Sequence, residues 1–477
     1  MAAVHMLSAL SCLRKPWYGR RGRADSICMA ARNGDCMSQK KILIKGAFIL
    51  TVTGFATRII GFFYRIFLSR SFGEEGVGLY QLIFPFFALG FSLTCAGIQT
   101  AISRCVAGKS AVGKHAQAKQ LLYIGMGLSV CLSVIVMFLT QQNAEFIAVH
   151  FLCEERCASL LVVLSYAFPF ASVHSCICGY YMGLKQTEVP AVSQLLEQIV
   201  RVAGVYLLFR LFTSGGNPPG ILVAAAGLTI GEIASAGFCI YMLRCRQKVF
   251  CPPAKESGCS IRLVLAELLG LSVPLTANRI LLNILQSIEA VSIPVQLRTY
   301  GMDTSHSLSM YGVLTGMALP CVMFPSAVTN SIASMMLPAI AELQAADHRQ
   351  AMNQLVKKAA SGCFLLGALC CVGLLVTGRF IGSHIFHSSM AGDFIITLAW
   401  ICPFLYTNNN LISIINGLGK TSQSFLFNTI SLTVRILSVF LCIPLFGING
   451  YLWGLLASQL ILFLLCIYFL TKKSHIL

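Results

Sequence analysis

Four polar side chains recur at helical spacing inside an apolar stretch that runs from about residue 190 to residue 212. They stand at positions i, i+3, i+4 and i+7, so a helix places all four on one face: Gln194, Glu197, Gln198 and Arg201. The stretch is long enough to cross a bilayer, where a lone charge near the centre costs roughly 2.5–3.5 kcal/mol on insertion scales. Glu197 precedes Arg201 by four residues, the favourable order for an intrahelical ion pair. The pattern predicts either a self-neutralised structural pair or a substrate-binding and coupling site with Glu197 as the coupling carboxylate.

Two arginines lie on one face of the first apolar stretch. Arg58 and Arg65 are seven residues apart, and Thr51, Gly54 and Gly61 fall on the same helical face. Arginine can hold a phosphate through two hydrogen bonds, and glycine lets another helix or a ligand approach closely. We expect Arg58 to line a cavity and bind substrate. Arg65 either joins it there or extends to the headgroups at the outer surface.

A third polar face is predicted within residues 263–297. Arg279, Asn283 and Gln286 share this face, and Glu289 lies close to it. Arg279 and Asn283 are candidate substrate-binding residues, and Glu289 is a second candidate for coupling transport to protons or sodium. The alternative is an internal polar network that only fixes helix packing.

The polar pattern of residues 194–201 returns 234 residues later in the chain. Asn428, Ser431 and Arg435 stand where the first copy has Gln194, Glu197 and Arg201, again inside an apolar stretch. The same offset aligns pairs of identical residues: Pro169 with Pro403, Phe170 with Phe404, Gly183 with Gly417, Leu184 with Leu418 and Thr187 with Thr421. We therefore predict a duplicated chain with a charged stripe buried in each half.

Composition places the chain in a membrane. Its 477 residues are 56% apolar and 11% charged, with a mean hydropathy of 0.77, whereas globular domains carry about 25% charged residues. The formal charge of +18 does not indicate a nucleic-acid partner, because most Lys and Arg lie in short segments between apolar stretches. We expect an all-α polytopic membrane protein.

Motifs for cofactors and metals give no positive signal. Gly419-Lys420-Thr421 resembles the end of a phosphate-binding loop, but Ile414 stands where that motif needs glycine. His384 and His387 lie in a predicted outer loop and are interpreted as exposed side chains. The 21 cysteines are mostly single residues in apolar stretches, without zinc-ligand spacing or a disulfide framework. We expect no cofactor, no metal site and no catalytic residues.

Twelve stretches approach the roughly 20 residues that a bilayer-spanning helix requires. The seventh and eighth contain Pro274, Pro294, Pro320 and Pro325, which predict kinks or re-entrant turns. The twelve are residues 42–69, 77–102, 121–140, 159–183, 190–212, 219–243, 263–297, 308–338, 359–377, 393–417, 424–445 and 448–471.

Charge predicts the orientation. With the N-terminus inside, the inner segments hold 24 Lys and Arg, and the outer helix ends hold only five. Because cytoplasmic loops carry an excess of Lys and Arg, both termini should be cytoplasmic.

The predicted domains follow from this count. Residues 1–41 carry eight Lys and Arg and are expected to form a disordered cytoplasmic tail, and a start at Met37 would begin the membrane domain cleanly. Residues 42–243 form one six-helix lobe, 244–262 a cytoplasmic linker and 263–477 a second lobe. Six helices return the chain to its starting side, so the lobes are parallel repeats with the site expected at their interface.

Several passages resemble the stage V sporulation protein B family of polysaccharide biosynthesis proteins. They are residues 57–68 (TRIIGFFYRIFL), 76–85 (GVGLYQLIFP), 314–320 (LTGMALP) with Pro325, 337–340 (LPAI), 416–420 (NGLGK) and the stripe of Gln194, Glu197, Gln198 and Arg201. The family belongs to the multidrug, oligosaccharidyl-lipid and polysaccharide exporters, alongside the lipid II flippase. The resemblance implies two six-helix bundles in a MATE-like V with a pseudo-twofold axis, and a lipid-linked sugar as cargo. Many relatives have fourteen helices, often with Asp at the Glu289 position and Lys at the Arg435 position.

The resulting hypothesis is a cell-membrane flippase for an undecaprenyl-linked saccharide such as a peptidoglycan precursor. Two lobes would alternate access to a cavity open sideways to the membrane lipids, driven by a proton or sodium gradient or by the membrane potential. Arg58, Arg201 and Arg279 would attract the pyrophosphate. The alternatives are a cation-coupled drug exporter that uses Glu197 or Glu289, and a non-transporting scaffold for cell-wall enzymes.

Overall fold

The computed structural model describes residues 25–214, 220–250, 260–345 and 348–473. The chain divides into two compact units, Met1–Phe48 and Ile49–Leu477. The first described helix begins at Asp25, inside the segment predicted to be a disordered tail. That prediction is therefore wrong for residues 25–41, which are rich in the helix formers Ala, Met, Gln, Lys and Arg. Its remainder, residues 1–24, lies outside the described part of the chain.

The described residues form α-helices and π-helical turns, and no β-strand occurs among them. The helices of the first half are α1 (Asp25–Leu82), α2 (Phe84–Phe91), α3 (Gly97–Ala111), α4 (His115–Gln142), α5 (Ala144–Phe146), α6 (Cys157–Ser165), α7 (Ala167–Gly183), α8 (Glu188–Ser214) and α9 (Leu222–Phe250). Those of the second half are α10 (Ile261–Thr299), α11 (Thr304–Gly312), α12 (Leu319–Met323), α13 (Ser326–Ala345), α14 (Arg349–Phe380), α15 (Ser389–Ala399), α16 (Cys402–Gly417), α17 (Thr421–Phe446) and α18 (Ile448–Tyr468).

Among the described residues, seven helical stretches are long and apolar enough to cross a membrane, and ten are when each of three bent helix pairs counts as one span. One stretch, Ile49–Ser110, covers two predicted segments, which meet where Gly73 adopts a φ of 71°. The remaining predicted segment is α8, which is helical throughout but is interrupted by its polar stripe. The helices therefore cover all twelve predicted segments.

Proline explains where the bent spans break. A proline lacks the N–H that would bond to residue i−4, and its ring clashes with that carbonyl. α6 ends at Ser165, four residues before Pro169, and α15 ends at Ala399, four residues before Pro403. The bends are 43° and 56°, and the eighth predicted segment bends by 62° beside Pro325, as expected. The seventh, in contrast, continues as one helix through Pro274 and Pro294.

Helix contacts repeat between the two halves at the predicted offset of 234 residues. A Cβ at Gly183 would lie 2.6 Å from the Ser103 carbonyl oxygen, and a Cβ at Gly417 would lie 2.8 Å from the Leu337 carbonyl oxygen. The π-helical turns Ile147–Phe151 and Ile381–Phe386 begin at the same offset. The duplication seen in the sequence is thus also a duplication of helix packing.

In the last helix of each half the offset becomes 227 residues, because the connection before α18 is shorter than the one before α9. In the first half, a Cβ at Gly231 would lie 3.0 Å from the Glu197 carbonyl oxygen. In the second half, Ser431 Oγ donates a hydrogen bond to the Ser458 carbonyl oxygen at 3.2 Å. Gly231 and Ser458 therefore occupy equivalent positions.

Helix α10 contacts both halves of the chain. A Cβ at Gly97 of α3 would lie 2.9 Å from the Ser272 carbonyl oxygen, so the two backbones approach closely. Near its other end, α10 directs Glu289 toward α17 and α18. This helix can therefore couple the packing of the first half to that of the second.

Charged side chains connect helix ends at one rim of the molecule. Arg298 donates to the Glu154 carboxylate at 2.9 Å, and Arg156 donates to Glu154 and to Glu75 at 2.6 Å each. The hydrogen bond to Glu154 raises the pKa of Arg156 above its ordinary value, because the carboxylate stabilises the guanidinium. Ser305 Oγ donates to Glu75 at 2.7 Å. These contacts join the first half (Glu75, Glu154, Arg156) to the second (Arg298, Ser305).

Candidate functional site

Glu197 and Arg201 form the intrahelical ion pair that their spacing predicts. The guanidinium Nη2 donates to the carboxylate, and the two side chains are only 13% and 14% exposed. Nε of Arg201 is buried and has no hydrogen-bond partner among the described residues. On the same helix, Gln194 is exposed and Gln198 is half-buried. The charges of the stripe are thus held inside the first half rather than presented on an open surface.

A second polar cluster lies beside this pair, and the sequence analysis missed it. Nδ1 of His174 on α7 lies 3.3 Å from Oε2 of Glu232 on α9 and 3.2 Å from Oγ of Ser235. On its other side, Nε2 of His174 lies 3.1 Å from Oγ of Ser193 on α8. The only signal in the sequence was an acidic residue in the middle of an apolar segment, which membrane proteins seldom carry without a partner.

The equivalent contact in the second half has no titratable group. By the offsets of the two halves, Asn408 stands where the first half has His174, and Gln459 where it has Glu232. Nδ2 of Asn408 donates to Oε1 of Gln459 at 3.0 Å and to its carbonyl oxygen at 2.8 Å. The two halves therefore share a helix contact that is ionisable in one and neutral in the other.

Arg58 and Arg65 on α1 contact neutral oxygen atoms of the second half. Nη1 of Arg58 donates to Ser326 Oγ at 3.1 Å and to the Met323 carbonyl oxygen at 3.3 Å, on either side of the break between α12 and α13. Nη1 of Arg65 lies 3.5 Å from the Thr315 carbonyl oxygen. Both side chains are partly exposed. The sequence suggested a cavity position for Arg58, and the structure adds a contact at a helix break.

The glycines beside these arginines do not serve helix packing. A Cβ built on Gly54 or Gly61 would meet no atom within 4 Å. The face of α1 that carries Gly54, Arg58 and Gly61 is therefore open. This leaves room for a ligand or lipid rather than for a neighbouring helix, which was the other reading of these glycines.

The predicted face of α10 contacts the first half. Nδ2 of Asn283 donates to Ser92 Oγ at 2.5 Å and to the Ala88 carbonyl oxygen at 3.3 Å. Nη2 of Arg279 donates to Thr100 Oγ1 at 3.3 Å, and the Arg279 side chain is exposed. Asn283 is thus held between helices, whereas Arg279 remains available on a surface.

Glu289 lies apart from these two residues. Its Oε1 accepts a hydrogen bond from Arg435 at 2.7 Å and one from the Tyr451 hydroxyl at 2.6 Å, and the residue is only 3% exposed. Arg435 was recognised in the sequence as the repeat partner of Arg201, but Tyr451 was not noticed. Each half thus contains one buried arginine neutralised by one glutamate, although the glutamate comes from a different helix in each case.

The arginines of the membrane region consequently fall into two groups. Arg201 and Arg435 are matched by Glu197 and Glu289. In the part of the chain that the structure describes, Arg58, Arg65 and Arg279 contact only hydroxyl or carbonyl oxygens. Their positive charges are not cancelled by a carboxylate, which favours an anionic ligand.

This fold and this charge distribution define a MATE-like membrane transporter. A solved structure of the lipid II flippase MurJ in an inward closed conformation is similar with a TM-score of 0.69 and 16% identity, over 89% of this chain and 88% of that one. An outward-facing MATE multidrug transporter of the MOP superfamily is similar with a TM-score of 0.66 and 14% identity, over 92% of this chain and 96% of that one.

Sequence comparison identifies the family. The model of the family described as polysaccharide biosynthesis protein matches residues 43–344, and the chain belongs to this family. Stage V sporulation protein B of Bacillus subtilis (strain 168) is 29% identical over 436 residues, which are 89% of this chain and 83% of that protein. The lipid II flippase MurJ of the same organism is 22% identical over 455 residues, covering 89% of this chain and 80% of that protein. The expected family and fold class are confirmed.

Proposed function

We propose that this chain is a cell-membrane flippase that moves an undecaprenyl-linked saccharide, such as a peptidoglycan precursor, to the outer face by alternating access. The observation that carries the proposal is the set of three membrane-embedded arginines without a carboxylate partner, Arg58, Arg65 and Arg279. The similarity to a lipid II flippase supports the same class of cargo.

The chemistry of the cargo matches these charges. A lipid-linked sugar carries a pyrophosphate, whose negative charge makes unassisted crossing of the hydrocarbon prohibitive. Guanidinium groups can replace the lost hydration through paired, charge-assisted hydrogen bonds. The open face around Gly54 and Gly61 gives a headgroup access to Arg58.

The same charges disfavour an exporter of cationic drugs, because uncancelled arginines would repel such cargo. An exporter of that class also needs a carboxylate that can bind a proton or sodium ion. Glu197 and Glu289, the predicted coupling residues, are each matched by an arginine. Their coupling role stays a prediction, and it requires the cation to displace an arginine from its carboxylate.

The test is to deplete a bacterial host of its own lipid II flippase, supply this chain, and measure the lipid-linked precursor that becomes accessible at the outer face. Arg58→Gln keeps a donor for the Met323 carbonyl but removes the charge, whereas Arg58→Lys keeps the charge. Loss of a charge-assisted contact worth about 1.5–3 kcal/mol predicts a roughly tenfold to hundredfold lower rate for Arg58→Gln and for Arg279→Gln. Arg58→Lys should retain more activity than Arg58→Gln.

Arg210→Gln is the matched control, because Arg210 is exposed and lies over the Tyr206 ring, away from these contacts. This variant should transport at the wild-type rate. A well-expressed wild type that never raises outer-face precursor, for lipid II or another undecaprenyl-linked sugar, would overturn the flippase proposal. Full activity of both glutamine variants would exclude the arginines as the cargo site, and a scaffold would tolerate every one of these changes.

A further inference from the structure

Three side chains of metal-ligand type converge inside the first half, where α7 and α9 meet. His174 and Cys178 lie one helical turn apart on α7, and Cys239 lies on α9. One ligand atom from each, an imidazole nitrogen and two Sγ atoms, lies within 4.8 Å of the others. The three residues are 8%, 6% and 0% exposed. We propose that His174, Cys178 and Cys239 bind a zinc ion.

The contacts of His174 orient its ring for this role. Nδ1 faces the Glu232 carboxylate at 3.3 Å, so Nδ1 carries the proton and donates it. Nε2 is then the nitrogen with a free lone pair, and it faces Ser193 Oγ at 3.1 Å. The same Ser193 Oγ lies 3.4 Å from Sγ of Cys178, so Nε2 and this thiol face one small space. A carboxylate that fixes the tautomer of a ligating histidine is the usual outer layer of a zinc site.

Ligand type and charge favour zinc over other cations. Thiolate and imidazole ligands select zinc or copper(I) over magnesium, calcium or sodium. On binding, the two thiols release their protons, and two thiolates with one neutral imidazole leave a Zn²⁺ complex without net charge. Copper(I) would leave a net negative charge in a buried site, which is costly without a partner. The neutral zinc complex is therefore the better match to this position.

A competing ligand set shares the same histidine. Ligand atoms of His174, Glu197 and Glu232 also lie within 4.8 Å of one another. However, Glu197 is already in contact with Arg201, and Glu232 is the partner of Nδ1. A metal bound there would break both contacts, whereas the two thiols can bind without disturbing either.

The second half provides an internal control. At the offsets of the repeat, Asn408, Ile412 and Cys466 stand where the first half has His174, Cys178 and Cys239. Cys466 is fully buried, as Cys239 is. The second half thus keeps one thiol of the three ligands, so a variant at Cys466 tests the loss of a buried cysteine without the loss of a ligand.

The experiment uses the full chain, purified in detergent under reducing conditions and stripped with a chelator. Cobalt(II) is added first, to read the thiolate-to-cobalt charge-transfer absorption, and zinc is then added to displace it and is quantified by elemental analysis. We expect one equivalent in the wild type, and loss of that equivalent in Cys178→Ala and in Cys239→Ala. Cys466→Ala and Cys176→Ala should bind as the wild type does. Glu232→Gln should keep the stoichiometry but weaken affinity by roughly 10–100-fold.

Folding is checked by the elution profile and by the unfolding temperature of each variant in chelator. If the ligand variants fail to fold, X-ray absorption at the zinc edge of the wild type still decides: two sulfur scatterers with nitrogen support the site. A first shell of nitrogen and oxygen alone would contradict it. Equal losses in Cys466→Ala and Cys239→Ala, or no zinc in the wild type above the Cys178→Ala level, would also overturn the proposal. None of these measurements depends on transport.

Discussion

Glu197 and Arg201 have opposite charges that are both nearly buried, and each reduces the cost of the other. Removal of one partner of such a pair leaves an uncompensated charge, whereas removal of both leaves a neutral stripe. The pair lies on a single helix, so its contact forms wherever the helix forms.

We predict that Glu197→Gln and Arg201→Gln each destabilise the protein by about 3–5 kcal/mol and that the double variant recovers much of this loss. The measurement is a double-mutant cycle on unfolding in detergent. Gln194→Ala is the control, because Gln194 is exposed on the same helix and should change stability little. Strictly additive effects would show that the two side chains stabilise different neighbours.

Sequence spacing finds partners on the same helix and misses partners on other helices. Glu197 and Arg201 are four residues apart, so their contact was predicted. His174 and Glu232 are 58 residues apart, and Glu289 and Arg435 are 146 apart. Those contacts depend on which helices become neighbours, and a single sequence does not encode this in its local periodicity.

At the scale of whole helices, α7 and α16 make equivalent glycine contacts. A side chain at Gly183 or Gly417 would collide with the backbone of a neighbouring helix, and a helix backbone cannot move aside easily. The glycines of α1 are in the opposite situation, since Gly54 and Gly61 face open space.

We predict that Gly183→Ala and Gly417→Ala each cost about 1–3 kcal/mol, as overpacking does. Gly54→Ala and Gly61→Ala should be neutral or slightly stabilising, because alanine favours a helix by roughly 1 kcal/mol over glycine. Unfolding temperature and folded yield measure both effects. Equal tolerance of all four changes would mean that the helix pairs have more freedom than their close approach suggests.

The helices themselves were largely predictable. Apolar length located all twelve segments, and Pro325 predicted the break in the eighth. Pro274 and Pro294 predicted kinks or re-entrant turns in the seventh, yet α10 continues through both. A proline removes one hydrogen bond, and surrounding helices of a membrane protein can compensate for that loss.

For the whole molecule, the charged rim has a predicted side. Glu75, Glu154 and Arg156 of the first half meet Arg298 and Ser305 of the second at the ends predicted to face outward. The orientation is still a prediction, since it depends only on the distribution of Lys and Arg.

We predict that single cysteines at Lys114 and Lys185, on a cysteine-free background, resist an impermeant maleimide in intact cells. Cysteines at Glu145 and Asp303 should react. All four positions are exposed, so accessibility reports the side of the membrane rather than burial. Permeabilised cells are the control, in which all four should react. Reaction of the first two from outside would reverse the topology.

The contrast between His174 with Glu232 and Asn408 with Gln459 has an evolutionary consequence. A gene duplication begins with two identical copies of each contact, and mutation can then change one copy while the other preserves the fold. An amide pair holds its helices at any pH, so the second half keeps the contact and has no dependence on protons. The first half could then retain, or acquire, groups whose chemistry responds to the cell. Divergence after duplication would in this way assign constancy to one lobe and responsiveness to the other.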